Sequence, residues 1–383
     1  MDDDLQEGQL KRLMLYVADR VVALVDSVRL GRKGLTSVIS ADRVHHLFTD
    51  TGADGEQLDQ LRTLALALTV CGENTVTNIS LHPSQQIFKI GFANLSEDIA
   101  FAVDVRRSLE RAAKQRSNVD LVIADNRLSS ERALAIADNF VAKGVHLAIE
   151  YQIDARMGTM IMNKYQRARI PVIAVDIPMV GATYFGVGNF YSGHLAGLAL
   201  GQWIDENWQG AIDRLLILEE PRAGALPEAR MEGQLSGLQE VLGAIRAEKR
   251  IVLNSGNTSA ASEAVVAAAL AECPQLHRIA IVCFNDDAAL GALRAAQAQG
   301  READIAVVGQ GADRLVRQEL RAPGTRIIGS TAFMPERYGE MLMDLALRIL
   351  RGESVPPAVF MDHVFIDAAN VDAYYPPSRT ALA

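Results

Sequence analysis

The segment Ile281–Gln297, IVCFNDDAALGALRAAQ, ends an apolar run in three adjacent polar side chains, Asn285, Asp286 and Asp287. An amide supplies a hydrogen-bond donor and an acceptor, and carboxylates supply acceptors, so this set suits a ligand that carries hydroxyl groups. An alanine-rich helix pattern follows at once and needs an N-cap. We expect Asp286 to be that N-cap and Asn285 to contact a ligand.

Arg230 and Asp176 suit the same kind of ligand. The guanidinium of Arg230, in the stretch EARMEG, can form paired hydrogen bonds to two neighbouring hydroxyl groups or to a carboxylate. Asp176 ends the apolar stretch VIAVD, where its carboxylate can accept hydrogen bonds from hydroxyl groups. The alternatives are an arginine on a solvated helix face and an aspartate that caps a helix or a turn.

No motif of the sequence predicts catalysis or a bound cofactor. The stretch GVGNFYSG has Gly186, Gly188 and Gly193, and the third glycine comes two positions late for a dinucleotide fingerprint. A phosphate-loop lysine, HExxH and GxSxG are absent from the sequence. Asp286 and Asp287 lack further oxygen ligands at the spacing of a calcium loop. We therefore predict no catalytic residue, no cofactor and no metal site.

Short apolar runs rich in β-branched residues alternate with helix-like segments from Ile87 onward. Each run precedes roughly 10–20 residues of helical pattern, as crossovers between parallel strands do. Continuous apolar strands are buried on both faces, so the sequence predicts parallel sheets covered by helices, and nine strands favour two sheets. Ligands bind beyond the carboxyl ends of such strands. The predicted strands are IFKIGFAN, VDLVIAD, HLAIEY, PVIAVD, RLLILEE, RIVLNS, RIAIVCFN, DIAVVGQ and TRIIGST.

Four stretches, in this order along the chain, resemble type I periplasmic binding proteins, the family of ribose-binding-like sugar receptors and of LacI-type regulator cores. KIGFANLSEDIAFAVDVRRSLERAA is similar to the family's first strand and helix, and ARIPVIAVDIP to its strand that ends in a ligand-binding aspartate. ALPEARMEGQLSGL is similar to the helix whose arginine reaches the ligand. FNDDAALGALRAAQAQGREADIAVVGQGAD resembles the unit strand–ND–x–x–A–x–G–A–x–x–A.

The resemblance implies an α/β fold with two doubly wound parallel-sheet lobes joined by a three-crossing hinge. The ligand would lie in the cleft between the lobes, which close by hinge bending. The implied N-terminal lobe comprises residues 87–187 plus 334–362, and the implied C-terminal lobe comprises residues 188–333 plus 363–376. The crossings are expected near 187–189, 332–335 and 362–364.

The resemblance also implies a set of ligand-binding residues. Phe101 corresponds to an aromatic residue that covers the C–H faces of a sugar, and the alternative is that it belongs to the core. Glu150 and Asn257 are further candidates, with capping or surface roles as the alternatives. The full set is Glu97, Asp98, Phe101, Glu150, Asp176, Arg230, Asn257, Asn285, Gln310 and Phe333.

The sequence departs from the family pattern at three positions of this site. Ile177 stands where a basic residue is common in ribose-type proteins, and Gln310 with the glycines stands where an aspartate close to Gly311 is usual. Phe333 replaces a frequent glutamine. These changes predict a pocket that is less charged and more apolar than a ribose-type site. We expect Phe333 to pack on a C–H face of the ligand, and the alternative is that it fills the core of a lobe.

Residues 1–86 precede the resemblance and show a helical pattern. Apolar residues at helical spacing between Leu10 and Val28 predict one helix, and Asp54 with Gln57 predicts the capped start of another. SADRVHHLF predicts a short helix between them, and GENTVTNISLHPSQQ predicts a linker. Because isolated amphipathic helices of this length are marginal, we expect the segment to support a homodimer. The alternatives are that it docks on its own lobe or on a partner protein.

Charge and cysteine content narrow the class of protein. The net charge of the 383 residues is −9, and residues 1–87 contain eight basic and twelve acidic residues, so we do not expect nucleic-acid binding. The three cysteines are far apart and form no CxxC pair, which argues against a disulfide framework and a zinc site. The N-terminal residues resemble neither a signal peptide nor a membrane span. This predicts a cytoplasmic location as the sequence stands, and a periplasmic one if a leader has been removed.

Two hypotheses of different classes follow. The first is a non-catalytic receptor for a small sugar-like or polyol ligand, such as the substrate-binding protein of an ABC importer, with the importer's membrane subunits as partners. The alternative is an intracellular LacI-like regulator that responds to a ligand. The helical pattern of residues 1–86 favours the regulator, whereas their net negative charge and the absence of an AxxxGVSxxTV helix-turn-helix motif disfavour it.

Overall fold

The computed structural model describes residues 11, 14–15, 18, 21–32, 38–39, 44–62, 67–73, 75–79 and 87–377. The chain forms two compact units, Met1–Gln86 and Ile87–Ala383.

The first unit contains a small four-stranded sheet. Its strands are β1 (Val22–Leu24), β2 (His46–Asp50), β3 (Ala67–Cys71) and β4 (Val76–Ile79), in the order β1-β2-β3-β4. The first three run parallel and β4 pairs antiparallel with β3. Helix α1 (Gly55–Arg62) lies between β2 and β3 along the chain, and Leu47 and Leu68 form the buried centre of the unit.

The helical prediction for residues 1–86 is therefore largely wrong where the structure describes them. Val22–Leu24 forms a strand within the predicted first helix, and the strand His46–Asp50 overlaps the end of the short helix predicted for SADRVHHLF. The predicted linker contains β4. β-Branched and aromatic residues in these stretches favour strands, and the alternating burial along β2 shows the strand period. Much of Leu10–Arg20 lies outside the described residues. The predicted homodimer stays a prediction.

The helix predicted after Asp54 is confirmed. The backbone N–H of Gln57 donates to Asp54 Oδ1 at 2.8 Å, and the N–H of Asp54 donates to Gln57 Oε1 at 3.2 Å. This reciprocal capping box satisfies backbone donors at the start of α1 that the helix itself leaves free.

The second unit contains two six-stranded sheets, each with its own helices. The sheet of the first lobe has the order β15-β9-β8-β7-β5-β6 and is parallel throughout. Its strands are β5 (Phe88–Asn94), β6 (Val119–Asp125), β7 (Leu147–Glu150), β8 (Val172–Val175), β9 (Thr183–Val187) and β15 (Ala358–Met361). The helices of this lobe are α2 (Ala100–Lys114), α3 (Ser130–Ala142), α4 (Gly158–Arg167) and α10 (Pro335–Leu350).

The sheet of the second lobe has the order β11-β10-β12-β13-β14-β16, with β16 antiparallel to β14. Its strands are β10 (Arg214–Glu219), β11 (Arg250–Asn254), β12 (Ile279–Cys283), β13 (Ile305–Gly311), β14 (Ile327–Ala332) and β16 (Val364–Asp367). Its helices are α5 (Asn189–Trp208), α6 (Ala225–Leu242), α7 (Ser259–Ala271), α8 (Asp286–Ala298), α9 (Arg314–Glu319) and α11 (Val371–Tyr374). Every residue of β12 and β13 is buried, as expected of central strands covered on both faces.

All nine strands predicted from Ile87 onward are present, as is the predicted division into two sheets. The sequence did not predict β9, β15 and β16. The chain passes from the first sheet to the second between β9 and β10, returns between β14 and β15, and passes again between β15 and β16. The unpredicted strands therefore all lie where the chain moves between the lobes.

Helices α5 and α6 pack with their backbones almost in contact. A Cβ atom added at Gly193 would lie 2.0 Å from the carbonyl oxygen of Arg230, and one added at Gly197 would lie 2.0 Å from that of Gln234. Gly233 on α6 meets the carbonyl oxygen of Phe190 at the same distance. Only glycine permits this approach, which brings the start of α5 next to Arg230.

Candidate functional site

A cleft of about 550 Å³, partly open to solvent, lies between the two lobes at the carboxyl ends of their strands. The first lobe contributes Leu95, Ile99, Phe101, Tyr151, Gln152, Ile153, Asp176 and Ile177. The rest of the lining is Pro227, Arg230, Asn257, Phe284, Asn285, Asp286, Asp287, Gln310, Gly311, Asp313 and Phe333.

Arg230 lies at the centre of the cleft and is held in one orientation. Its Nε and Nη2 donate to Asn189 Oδ1 at 2.9 and 2.7 Å, and its Nη1 donates to the carbonyl oxygen of Phe284 at 3.1 Å. The guanidinium lies 4.5 Å from the ring centroid of Phe284 and 5.3 Å from that of Phe333. Burial lowers the pKa of Arg230, and Asp176 opposes that shift. An arginine remains charged at neutral pH, so the cleft contains an oriented cation.

Asp176 faces this cation from the first lobe. It follows β8 in a left-handed conformation with φ +59°, which is uncommon for a residue other than glycine. Burial raises the pKa of its carboxyl group to about 6, while Arg230 and hydrogen bonds from Tyr151 and Tyr338 act in the opposite direction. The attraction between Asp176 and Arg230 therefore acts across the cleft.

Asn257 and Asn285 form a connected pair on the second lobe. Asn285 Nδ2 donates to Asn257 Oδ1 at 2.9 Å, and Asn285 Oδ1 accepts the backbone N–H of Ala288 at 2.9 Å. Asn285 is thus the N-cap of α8, which corrects the expectation that Asp286 has this role. The N-cap position falls one residue earlier because the amide oxygen of Asn285 reaches the free N–H in the first turn of the helix.

Three carboxyl groups line the wall of the second lobe beside this pair. Asp286 accepts from Ser330 Oγ at 2.6 Å and from the backbone N–H of Asp313 at 2.7 Å. Asp313 caps α9, and burial raises the pKa of both Asp286 and Asp313. Burial, followed by the proximity of Asp313, raises the pKa of Asp287 to about 7. Asp313, two residues after Gly311, thus adds a carboxyl group that the sequence analysis overlooked. The expectation of a pocket less charged than a ribose-type site stays a prediction.

Two glutamines present unsatisfied polar atoms in the cleft. Gln310 is 2% exposed, and its Nε2 donates to the carbonyl oxygen of Ser192 at 3.5 Å while its Oε1 has no partner. Gln152 is equally buried, and its Oε1 accepts the N–H of Asp154 while its Nε2 has no partner. Buried polar atoms of folded proteins are normally hydrogen-bonded, so these two are available to a ligand.

Aromatic and aliphatic side chains form the apolar part of the cleft. The rings of Phe101 and Phe333 pack edge to face with centroids 6.1 Å apart, and the ring of Phe101 also packs on Tyr338. Phe333 is 3% exposed and belongs to the hydrophobic core while also lining the cleft. Its contact with a ligand stays a prediction, and the structure gives it a core role as well.

Three of the predicted site residues do not line the cleft. Glu97 and Asp98 are exposed, and Glu97 pairs with Arg106 at 2.8 Å. The neighbouring Leu95 and Ile99 occupy the lining instead. The carboxyl group of Glu150 is fully buried and accepts a hydrogen bond of 2.5 Å from Tyr165.

The other seven predicted site residues are brought together by the cleft. They are Phe101, Asp176, Arg230, Asn257, Asn285, Gln310 and Phe333. The sequence did not predict Tyr151, Gln152, Phe284 or Asp313 as part of this site, nor Asn189, which holds Arg230 from behind. A carboxyl-end position after a predicted strand was the available signal for Tyr151 and Asp313.

Contacts across the mouth of the cleft join the two lobes. Arg314 Nη1, on α9, lies 2.7 Å from Asp104 Oδ1, on α2, and donates to the carbonyl oxygen of Ala100 at 3.1 Å. Arg222 Nη1 donates to the carbonyl oxygen of Leu128 at 3.3 Å. None of these five residues lines the cleft. These contacts therefore join the two lobes outside the residues that line the cleft.

The family model described as periplasmic binding protein domain matches residues 90–354 of the sequence, so the chain belongs to the periplasmic binding protein family. The ribose import binding protein of Salmonella typhimurium is 24% identical over 263 residues, which are 67% of this chain and 82% of that protein.

Solved structures of ABC transporter solute-binding proteins share the fold. One, from Actinobacillus succinogenes with bound D-allose, is 20% identical, has a TM-score of 0.65 and covers 75% of this chain and 99% of its own. Another, from Bacillus halodurans with bound myo-inositol, is 19% identical, has a TM-score of 0.64 and covers 76% of this chain and 98% of its own.

Within the described part of the chain, no helix has the length and apolar character needed to cross a membrane. The same residues contain no cluster of three or more histidine, cysteine or acidic side chains that would hold a metal ion.

Proposed function

We propose that the protein is a receptor that binds a small sugar-like or polyol ligand in the cleft between its lobes and leaves it chemically unchanged. The observation that carries the proposal is the convergence of Arg230, Asp176, the pair Asn257–Asn285 and the unsatisfied Gln310 on one cleft. Together these groups supply a fixed cation, a carboxylate and amide atoms of both polarities, which suits a ligand with several hydroxyl groups. Phe101 and Phe333 supply flat apolar surface for its C–H faces.

Proteins similar to this one support the ligand class. The Salmonella typhimurium relative imports ribose by name, and the two structural relatives hold D-allose and myo-inositol. A third, from Mycobacterium smegmatis, holds glycerol. All four ligands are polyhydroxylated and uncharged. The shared family and these ligands are the reasons to prefer a sugar-like or polyol ligand over a regulator with another effector.

Isothermal titration calorimetry and thermal-shift measurements with D-ribose, D-allose, myo-inositol and a wider set of sugars and polyols test the proposal. We expect at least one to bind and to raise the melting temperature. The variant Arg230→Met, which keeps most of the apolar stem, should lose that binding. Arg246→Met, at an arginine whose side chain is 74% exposed, is the matched control and should bind as the wild type does.

Far-UV circular dichroism of both variants establishes that they are folded. If Arg230→Met fails to fold, Asn257→Ala takes its place, because Asn257 also lines the cleft and lies outside any helix or strand. Binding that survives both cleft substitutions would contradict the proposal. So would the absence of binding by every sugar and polyol tested.

We further propose that the protein acts in the periplasm and that the membrane subunits of an ABC importer are its partners. This proposal is supported by the family match and by relatives described as transporter components. Cell fractionation of the native host with an antibody against the protein tests the location. Recovery of the protein only in the cytoplasmic fraction would contradict this part of the proposal.

A further inference from the structure

The carboxyl groups of Asp287 and Asp313 lie in the cleft with hydrogen-bonding capacity to spare. Asp313 Oδ1 accepts the N–H groups of Leu315 and Val316, but Asp313 Oδ2 is buried without a partner. The side chain of Asp287 is 7% exposed, and its carboxylate has no hydrogen bond or ion pair with any residue that the structure describes. Both residues line the same cleft.

Nearby cations are committed elsewhere. Arg314 is paired with Asp104 at 2.7 Å, and Arg294 donates to Ser259 Oγ at 3.0 Å. Arg230 is held by Asn189 and faces Asp176. Arg314 acts to lower the pKa of both Asp287 and Asp313, and Arg294 that of Asp287, but neither arginine forms a direct ion pair with either carboxyl group.

Asp286 does not relieve this excess of negative charge. Both of its oxygens are already used, by Ser330 and by the backbone of Asp313. Its carboxyl group lies close enough to Asp313 for each to disfavour ionisation of the other. Buried carboxylates of like charge are stable in the ionised form when a cation lies between them. Among the described residues, no cationic side chain lies in direct contact with Asp287 and Asp313 in this way.

The unsatisfied atoms of Gln310 and Gln152 show independently that this cleft is built for a ligand. Gln310 Oε1 is an acceptor and Gln152 Nε2 is a donor, and each is at least nine-tenths buried. An ammonium group supplies three donors, and Asp287, Asp313 and Gln310 supply acceptors on one wall. The remaining donor of Gln152 suits a hydroxyl group on the same molecule.

We propose that the ligand carries a protonated amine beside its hydroxyl groups, and that Asp287 and Asp313 receive this amine. The ligand class is thus an amino sugar, imino sugar or amino polyol. This inference rests on the proposed function, since it concerns the same cleft and narrows its ligand.

Matched pairs of ligands that differ in one amine test the inference. D-Glucosamine is compared with D-glucose, D-galactosamine with D-galactose, and 1-amino-1-deoxy-D-sorbitol with D-sorbitol, by isothermal titration calorimetry on the full chain at pH 7. We expect the amine to bind at least tenfold more tightly than its neutral partner in at least one pair. The N-acetyl derivative of a preferred amino sugar should lose this advantage, because acetylation removes the charge.

Variants then locate the amine. Asp287→Asn should abolish the preference for the amine, so that the amine and its neutral partner bind with similar affinity. Asp205→Asn, at an exposed aspartate of α5, is the control and should keep the preference. If Asp287→Asn does not fold, the comparison with the N-acetyl derivative on the wild type decides the question alone.

The outcomes separate this inference from the function on which it rests. Neutral sugars that bind as tightly as their amines in every pair overturn the inference and leave the receptor function intact. A preference for the amine that persists in folded Asp287→Asn overturns the assignment of the amine to this carboxylate. Absence of binding by all members of all pairs and by the neutral sugars above overturns both.

Discussion

Asn189 is the residue whose replacement tests the architecture of the cleft most directly. It stands at the first position of α5, and its amide oxygen accepts two hydrogen bonds from the guanidinium of Arg230, at 2.9 and 2.7 Å. In Asn189→Ala two buried, charged donors lose their acceptor. Hydrogen bonds to charged groups contribute about 1.5–3 kcal/mol, and a buried donor without a partner costs a similar amount. We expect the free energy of unfolding to fall by about 2–3 kcal/mol.

The same substitution should weaken ligand binding at least tenfold, because the guanidinium loses the contact that fixes its plane. Asn189→Asp keeps an acceptor at the same place and should retain most of the stability. Urea unfolding followed by tryptophan fluorescence suits the measurement, since the two tryptophans of the chain, Trp203 and Trp208, both lie on α5. The signal therefore reports the unit that contains the cleft.

Asn207→Ala is the matched control, since Asn207 is an exposed asparagine of the same helix that bonds only to the helix backbone, at Trp203. It should change the free energy of unfolding by less than about 0.5 kcal/mol. The reasoning is refuted if Asn189→Ala is as stable as Asn207→Ala and binds the ligand with wild-type affinity. Lost stability with unchanged affinity would show that Asn189 supports the helix and has no part in orienting Arg230.

Three further predictions concern the packing and charge around the cleft. Gly197→Ala should lower the free energy of unfolding in urea by at least about 1–3 kcal/mol, because its Cβ would lie 2.0 Å from a backbone oxygen of α6. Gly188→Ala is the control and should cost much less, because its Cβ would meet only a contact at 3.6 Å. Burial raises the pKa of Glu150 from its ordinary value of 4.5 to about 8. Protonation of Glu150 therefore contributes to the free energy of unfolding fully below pH 4.5. This contribution is lost at up to roughly 1.4 kcal/mol per pH unit as the pH rises to about 8. Glu150→Gln should therefore lose less stability than wild type between pH 5 and 8, and parallel pH profiles would contradict this. Phe333→Ala should lower the free energy of unfolding by about 3–5 kcal/mol. The molecules that remain folded should also bind the ligand more weakly. An unchanged affinity of the folded molecules would leave Phe333 with a core role alone.

Sequence patterns were sufficient for the central parallel strands and for seven residues of the cleft. A strand such as Ile279–Cys283 is apolar throughout because both of its faces are covered, and this leaves a signal that length and composition reveal. Asp176, Arg230 and Asn285 follow from the ends of such strands or from a family motif. Once the end of the strand or the motif is located in the sequence, the position of each of these residues is nearly determined.

The failures have identifiable physical causes. Glu150 and Tyr151 are adjacent at the end of β7, and consecutive side chains of a strand point to opposite faces, so an error of one residue exchanges a cleft residue for one buried against Tyr165. Glu97 and Asp98 are exposed because the length of the loop after β5 places them outside the cleft, and the sequence does not specify that length. The first unit was predicted to be helical because apolar residues near Val22 satisfy both a helical and a strand period.

The contacts of Arg314 with Asp104 and of Arg222 with Leu128 have a consequence for the selectivity of the receptor. They join the lobes outside the cleft, so they form in the same way around any ligand that permits closure. Because opening of the lobes would break them, we expect them to slow dissociation of every ligand by a similar factor. Their loss should shorten all residence times together and leave the order of ligand preference unchanged. On this reasoning the contacts outside the cleft affect the residence time of a ligand, and the residues that line the cleft determine the ligand preference.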